Sequence, residues 1–289
     1  MGDTPCPGAC RPSQPIEFHA MPPSAETLPD YLACAHRLAD LSGAAILPYF
    51  RADLAVEDKG NGGGRGFDPV TAADRAAEAA IRAELARVYP VHAIVGEELA
   101  DTAGRADRRW IIDPIDGTRA FIMGFPMWGT LIGLADGKTP LLGVMDQPFT
   151  GERFWSEDGS AFWHRHGRDK RKLAARKGLA LKDAILTATT PDMFNDGDEA
   201  ERFARLPGHV RQTRFGGDCY GYAMVAMGLV DVVVEASLKP FDIAALIPII
   251  EGAGGRVTSW DGGPALDGGR VVAAGDPHVH EAVLKILAD

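Results

Sequence analysis

Apolar residues at Tyr31, Leu32, Ala35, Leu38, Leu41, Ala45 and Ile46 recur at the three-and-four spacing of a single helical face, so the pattern predicts a first core helix over 28–50, despite Gly43 and Pro48. A short strand is expected at 54–58. Gly60, Gly62, Gly63, Gly64 and Gly66 then leave a loop with few backbone restraints. Thr71 and Asp74 form a T-x-x-D signature that opens an alanine-rich helix to about residue 88. The period then shortens. Strands are predicted at 93–95, 109–113, 128–135, 140–147 and 152–156, with turns at Asp136-Gly137 and Thr150-Gly151, enough for one sheet filling a first lobe. The rest alternates: strand 185–189, helices 199–206 and 220–227, strand 231–235, helix 242–251, strands 256–259 and 270–274, and a last helix 278–287. This order predicts an α/β chain with helices packed on mostly buried sheets.

The 289 residues suit two lobes, expected at 28–180 and 181–289. Residues 1–27 carry six prolines and few apolar anchors, and read as a disordered N-terminal extension. A net charge of −10 argues against a nucleic-acid binder, which needs a basic face. A phosphate substrate stays open, because bound divalent cations reverse the sign of an acidic pocket. Cys6, Cys10, Cys34 and Cys219 show no disulfide spacing, so a reduced, cytoplasmic protein is expected; Cys6 and Cys10 with His19 lack a fourth metal ligand. No apolar run reaches the ~18 residues a bilayer requires, and no membrane association is expected. The basic run Arg165, Arg168, Lys170, Arg171, Lys172, Arg176 and Lys177 reads as a solvated linker between lobes, with phosphate attraction as the alternative. The acidic stretch 192–198 is not an EF-hand, since Phe194 stands where a ligand is needed.

The chemistry concentrates at Trp110-Ile-Ile-Asp113-Pro-Ile-Asp116-Gly-Thr118. An apolar strand delivers Asp113 into a Pro114-Ile115 turn that presents Asp116 on the same side. Glu97, in Gly96-Glu97-Glu98, and Asp242, in Pro240-Phe241-Asp242, also sit at element ends. Four such acids suit a site of two or three Mg²⁺ ions, each taking one or two carboxylates and keeping other positions for water and phosphate oxygens. Taken singly, Asp74 and Asp242 could equally be helix-capping acids.

Together these motifs resemble the inositol monophosphatase family of metal-dependent phosphatases, whose members share GEE, W-[IV]-[IV]-D-P-[IL]-D-G-T and a late aromatic-Asp pair; the similarity runs from about Leu28 to the C-terminus. The resemblance implies a layered, two-lobed helix/sheet sandwich of the inositol monophosphatase and fructose-1,6-bisphosphatase type. It also implies a homodimer and a small phosphate monoester as substrate. By motif position Glu97, Asp113 and the Ile115 carbonyl would hold a first metal, Asp113, Asp116 and Asp242 a second, and Glu97 a looser third. Thr118 and Asp74, with Lys59, match positions that orient water, and the N–H groups of Gly117 and Thr118 would receive the phosphate. The implied reaction is hydrolysis by metal-activated water. A D-x-D-x-T nucleophile motif does not occur around this centre, so the acids read as ligands.

The stretches 214–222 (RFGGDCYGY) and 235–255 look closer to the histidinol-phosphatase branch of that family than to its inositol branch. Gly217-Asp218-Cys219 stands where the inositol branch usually has G-T-A, and Phe241-Asp242 where it has W-D. The family's leaving-group acid falls on Glu235. Histidinol phosphate carries an ammonium and an imidazole, for which Asp218 and Glu235 would offer paired anionic acceptors. Arg214, Asp218 and Glu235, with Asp116, Gly117, Thr118 and Asp242, make up the expected substrate contacts. Asp218 could instead cap the 220–227 helix, Tyr220 and Tyr222 could flank an imidazole or sit in the core, and Arg214 could line the site or bind a nearby acid. The expected activity is hydrolysis of L-histidinol phosphate. The alternatives are an inositol-1-monophosphatase or broad sugar-phosphate phosphatase, and a catalytically silent metal-binding regulator.

Overall fold

Thr27 and Asp30 start the first helix, α1 (Leu28–Ile46): the Asp30 N–H reaches Thr27 Oγ1 at 3.4 Å and the Thr27 N–H reaches Asp30 Oδ2 at 3.1 Å. Helix α1 stops short of the predicted residue 50 because Pro48 has no N–H to continue the ladder, and residues 47–50 form turns. The computed structural model describes residues 26–53, 56–58, 69–105, 107–195 and 197–288. Lys59, the Gly60 to Gly66 loop, Cys6, Cys10 and His19 lie outside them. A two-stranded ribbon, β1 (Val56–Asp58) with β2 (Pro69–Thr71), leads into α2 (Ala72–Val88).

The first large sheet runs in spatial order through β3 (Ala93–Gly96), β4 (Arg108–Asp116), β5 (Gly129–Asp136), β6 (Thr139–Gln147), β7 (Glu152–Glu157), β8 (Ser160–Arg165) and β9 (Arg171–Lys172). Only β3 and β4 pair in parallel. A short helix, α3 (Thr118–Ile122), separates β4 from β5. The second sheet follows the order β11, β10, β12, β14, β13. Its elements in chain order are β10 (Ile185–Ala188), α4 (Glu199–Arg205), β11 (Gln212–Phe215), α5 (Cys219–Ala226), β12 (Val232–Leu238), α6 (Pro240–Ile243), α7 (Leu246–Gly252), β13 (Arg256–Ser259), β14 (Gly269–Ala274) and α8 (Pro277–Ala288).

Side-chain alternation stacks these elements into five layers. On β4, Trp110 and Ile112 face the α1/α2 layer, while Ile111 faces α5 and α7. On β12, Val233 faces α5 and α7 from the other side, while Val232 and Val234 face α4 and α8. The order is therefore helices, seven-stranded sheet, helices, five-stranded sheet, helices, the layered sandwich expected. One apolar core, including Ile111, Phe154, Tyr222, Ile249 and Val271, passes through the central helical layer and joins both sheets. No helix among the described residues is long and apolar enough to cross a membrane.

Three departures from expectation have physical causes. The predicted 242–251 helix is two: Pro248 cannot donate to the Ala244 carbonyl, and the intervening backbone packs so closely on β6 that a Cβ on Gly143 would lie 1.9 Å from the Ala245 carbonyl oxygen. The basic run is not a free linker. Its first part forms β8 and β9, with Lys170 Nζ 3.9 Å from the Phe162 ring centroid and Arg171 stacked over Trp163. Its last part is tied to the second sheet, Arg176 to Asp231 and Lys177 to the carbonyls of Gly254 and Gly275. Finally, β11 is an additional edge strand.

Candidate metal centre

Strand β4 carries the first two acids. Its pairing with β5 is regular to Asp113, opposite Leu131, then bulges before Asp116, opposite Gly129. Within the bulge, Asp113 Oδ1 accepts the Ile115 N–H at 3.0 Å, fixing one carboxylate oxygen, while the Ile115 side chain is buried among Ala73, Phe121 and Trp128. Thr130 Oγ1 donates to the Pro114 carbonyl at 2.8 Å and holds the turn from the next strand. Gly117 then turns the chain into α3 at φ 88°, where a Cβ would sit 2.6 Å from the Met127 carbonyl oxygen. The Thr118 hydroxyl donates to the Ile115 carbonyl at 3.0 Å.

Two further acids come from α2 and from the loop that follows β3. Asp74 closes the capping box of α2: its Oδ2 accepts from the Thr71 N–H at 2.8 Å and from the Thr71 hydroxyl. Its Oδ1 is buried with no hydrogen-bond partner, a costly state for a carboxylate oxygen. Burial, and to a smaller extent the Glu97 charge, raises the Asp74 pKa, and Glu97 shares a hydrogen bond with Asp113. Sequence reasoning missed what holds Glu97 in place. The fully buried Glu78, one turn after Asp74 on α2, accepts the Glu98 N–H at 2.7 Å and the Leu99 N–H at 3.2 Å, and takes Arg82 Nε at 2.7 Å. Only its position one helical turn beyond Asp74 hints at this, since the partners are about twenty residues away.

Helix α6, the start of α5 and strand β12 supply the rest. Asp242, on α6, accepts the Lys239 N–H at 2.7 Å, so it does cap its helix. One carboxylate oxygen each from Asp113, Asp116 and Asp242 nevertheless lies within 4.8 Å of the others. Asp116 Oδ2 also accepts the N–H of Cys219, the first residue of α5, at 2.6 Å. Asp218 stands at the N-cap of α5 without capping it, at a positive φ of 45° that is unusual for a residue other than glycine. Glu235, buried on β12, accepts the Thr189 N–H at 2.7 Å and the Tyr222 hydroxyl at 2.9 Å. Tyr222 is thus a core residue with its polar tip on Glu235, and Tyr220 points to Glu152 and Thr150 of the first lobe. Arg214 is exposed on β11 opposite Thr187, and among the described residues no hydrogen bond joins it to the acids.

Burial and mutual repulsion push the pKa values of these carboxyls up. Burial, then Glu97, Asp116 and Asp242, push the Asp113 pKa well above the ordinary range; burial, then Asp218 and Asp242, do the same to Asp116. Burial raises Asp242 to about 8, Glu235 to about 7, and Asp218 and Asp74 each to about 6. A divalent cation would take the place of the protons such groups hold. The donor set, all oxygen and all anionic, with the unspent Asp74 Oδ1 beside it, fits a hard cation rather than a soft one.

Residues 28–289 match the model of the inositol monophosphatase family. The chain is 39% identical over 269 residues to a bifunctional phosphatase, IMPL2, of Arabidopsis thaliana chloroplasts, covering 89% of this chain and 75% of that protein. It is 38% identical to a histidinol-phosphatase of Streptomyces coelicolor, over 90% of this chain and 98% of that one. A solved inositol monophosphatase from Zymomonas mobilis superposes with a TM-score of 0.79 at 38% identity, over 91% of this chain and all of that one.

Proposed function

The chain belongs to the inositol monophosphatase family and is a phosphoric monoester hydrolase; from that premise we propose that it is Mg²⁺-dependent and that its substrate is L-histidinol phosphate. The observation that carries the substrate is Asp218. Its carboxylate stands at a helix N-cap yet makes no capping hydrogen bond, and it lies close enough to Asp116 to add to the burial that raises that group's pKa. An anion released from structural duty beside the metal cluster suits a cationic leaving group. Glu235 lies deeper, oriented by Thr189 and Tyr222, and forms the second acceptor. Relatives named histidinol-phosphatase, at 38% and 35% identity, support the same choice.

In this reading Glu97, Asp113, Asp116, Asp242 and the second lone pair of the Ile115 carbonyl hold two or three Mg²⁺ ions. Bound cations lower the pKa of water and neutralise charge gathering on phosphoryl oxygens. The chain's own groups do the positioning. Thr118 and Glu97, with Asp74 Oδ1, align the attacking water in line with phosphorus, and Lys59 is assigned to the same task from its motif position. The N–H groups of Gly117 and Thr118 hold phosphate oxygens, and Asp218 and Glu235 hold the departing amino alcohol. Arg214, exposed and apart from the acids, is a rim contact. A homodimer belongs to the same proposal, testable by light scattering.

The test is phosphate release, with and without chelator, from histidinol phosphate, inositol monophosphates, fructose 1,6-bisphosphate and 3′-phosphoadenosine 5′-phosphate. Mg²⁺-dependent turnover is expected to be greatest on histidinol phosphate; equal rates on inositol 1-phosphate would refute the substrate but not the reaction class. Similarity to the Zymomonas mobilis inositol monophosphatase favours the second reading, an inositol or broad sugar-phosphate phosphatase.

A further inference from the structure

Asp74 and Glu97 reach the centre from separate pieces of backbone, the first turn of α2 and the loop that follows β3, and their like charges repel. Something must hold the two pieces together. We infer that Glu78 and Arg82 form a positioning clamp that locks the Glu97 loop to α2 and thereby sets the separation of Asp74 and Glu97 before any cation arrives. The inference rests on the metal-dependent reading above and assigns residues that reading does not use.

The clamp is fully specified by its bonds. Glu78 spends one carboxylate oxygen on the Glu98 N–H and the other on the Leu99 N–H and Arg82 Nε. Arg82 then uses its two terminal nitrogens on the Leu99 carbonyl and the Thr102 hydroxyl, both at 3.0 Å. Two adjacent residues of the Glu97 loop, Glu98 and Leu99, are thus held to consecutive turns of one helix by three hydrogen bonds, with a fourth to Thr102 and the Arg82–Glu78 bond bracing them. A Cβ on Gly96 would lie 2.2 Å from Glu78 Oε1, so the loop backbone rides directly on this carboxylate. A buried anion with three donors around it is stable where it stands, whereas the acids it positions are crowded against like charges. Because Asp74 and Glu78 lie four apart on one helical face, the helix itself carries the rigid spacing.

The experiment compares parent, Glu78→Gln and Arg82→Gln by calorimetric titration with Mg²⁺ without substrate, and by turnover as a function of Mg²⁺ concentration. Glu78→Gln puts a donor where an acceptor met a backbone N–H. Partners that orient metal ligands are worth about 10–100-fold in metal affinity. The expected result is weakening of that order for Glu78→Gln and a smaller weakening for Arg82→Gln, with turnover at saturating Mg²⁺ falling far less than affinity. Were Glu78→Gln to fail to fold, Arg82→Gln carries the test alone. A clamp that only stabilises the loop would lower the melting temperature and leave Mg²⁺ affinity within twofold of the parent, which overturns the inference. A parent that bound no Mg²⁺ would overturn the metal-dependent reading, and the inference with it.

Discussion

Asp116 of the first sheet accepts the backbone N–H of Cys219 at 2.6 Å, so a residue of the acid cluster also serves as the N-terminal partner of α5 in the central helical layer. Structure and chemistry can be separated at this position. In Asp116→Asn the amide oxygen can still accept from Cys219, but the charge is gone. The melting temperature in chelator is expected to stay within a few degrees of the parent, and turnover to fall by more than about 100-fold, the equivalent of several kcal/mol of electrostatic stabilisation. Parallel circular dichroism melts and phosphate-release assays check both halves.

Asp74 has two jobs on two oxygens. Thr71→Ala removes the cap acceptor for the Ala73 N–H and the hydroxyl that donates to Asp74 Oδ2, leaves the residue-71 backbone N–H on that oxygen, and should cost about 1 kcal/mol of stability with turnover changed far less than by Asp74→Asn. Asp74→Asn keeps an acceptor for Thr71 and places an NH₂ donor where the unspent Oδ1 stands, so turnover should fall at least tenfold. Equal effects of the two variants on turnover would show that Asp74 is a cap and nothing more.

Without metal, the acids store protons and the stability profile should show it. Folded pKa values of about 8 for Asp242, about 7 for Glu235 and about 6 for Asp218 and Asp74 lie above the ordinary values of 3.8 and 4.5 for Asp and Glu. The folded state therefore binds more protons than the unfolded state between those limits, and stability falls as pH rises through them. In chelator, the melting temperature should drop from pH 5 to pH 8. Added Mg²⁺ should restore more stability at the alkaline end, and its binding should release protons. A flat or rising melting curve in chelator would contradict the crowding of these carboxyls.

Selectivity should reside in Asp218. Asp218→Asn removes one charge-assisted contact, worth about 1.5–3 kcal/mol, so kcat/KM on histidinol phosphate is expected to fall about 10–100-fold. On inositol 1-phosphate, whose leaving group carries no cation, the change should be less than threefold. Loss of both activities in proportion would place Asp218 in the metal cluster rather than at the substrate.

What the sequence disclosed follows the range of the forces involved. The Thr71-Asp74 box and the Asp113-Ile115 turn are local, closed within three residues, and their signatures are readable from spacing alone. The layers were readable because strands such as 108–116 alternate faces with period two. Glu78 was invisible because its partners, Glu98 and Leu99, are about twenty residues off and are backbone groups of no particular residue type. The carboxylate of Asp218 was equally hidden: its position reads as an N-cap, and only the folded backbone, with a positive φ there and no capping hydrogen bond, shows that it is not one. Strands β8 and β9 were masked by basic residues whose stacking on Phe162 and Trp163 appears only in three dimensions.

The two margins of the seven-stranded sheet bear on how the protein behaves when concentrated. One margin is β3, where Thr102 exchanges both backbone hydrogen bonds with Ile94, and the other is β9, two residues long and both basic. A neighbouring chain seeking to extend the sheet would find the first margin already occupied and the second too short and too positively charged to template growth. Fibrous self-association by strand addition is thereby discouraged on both flanks.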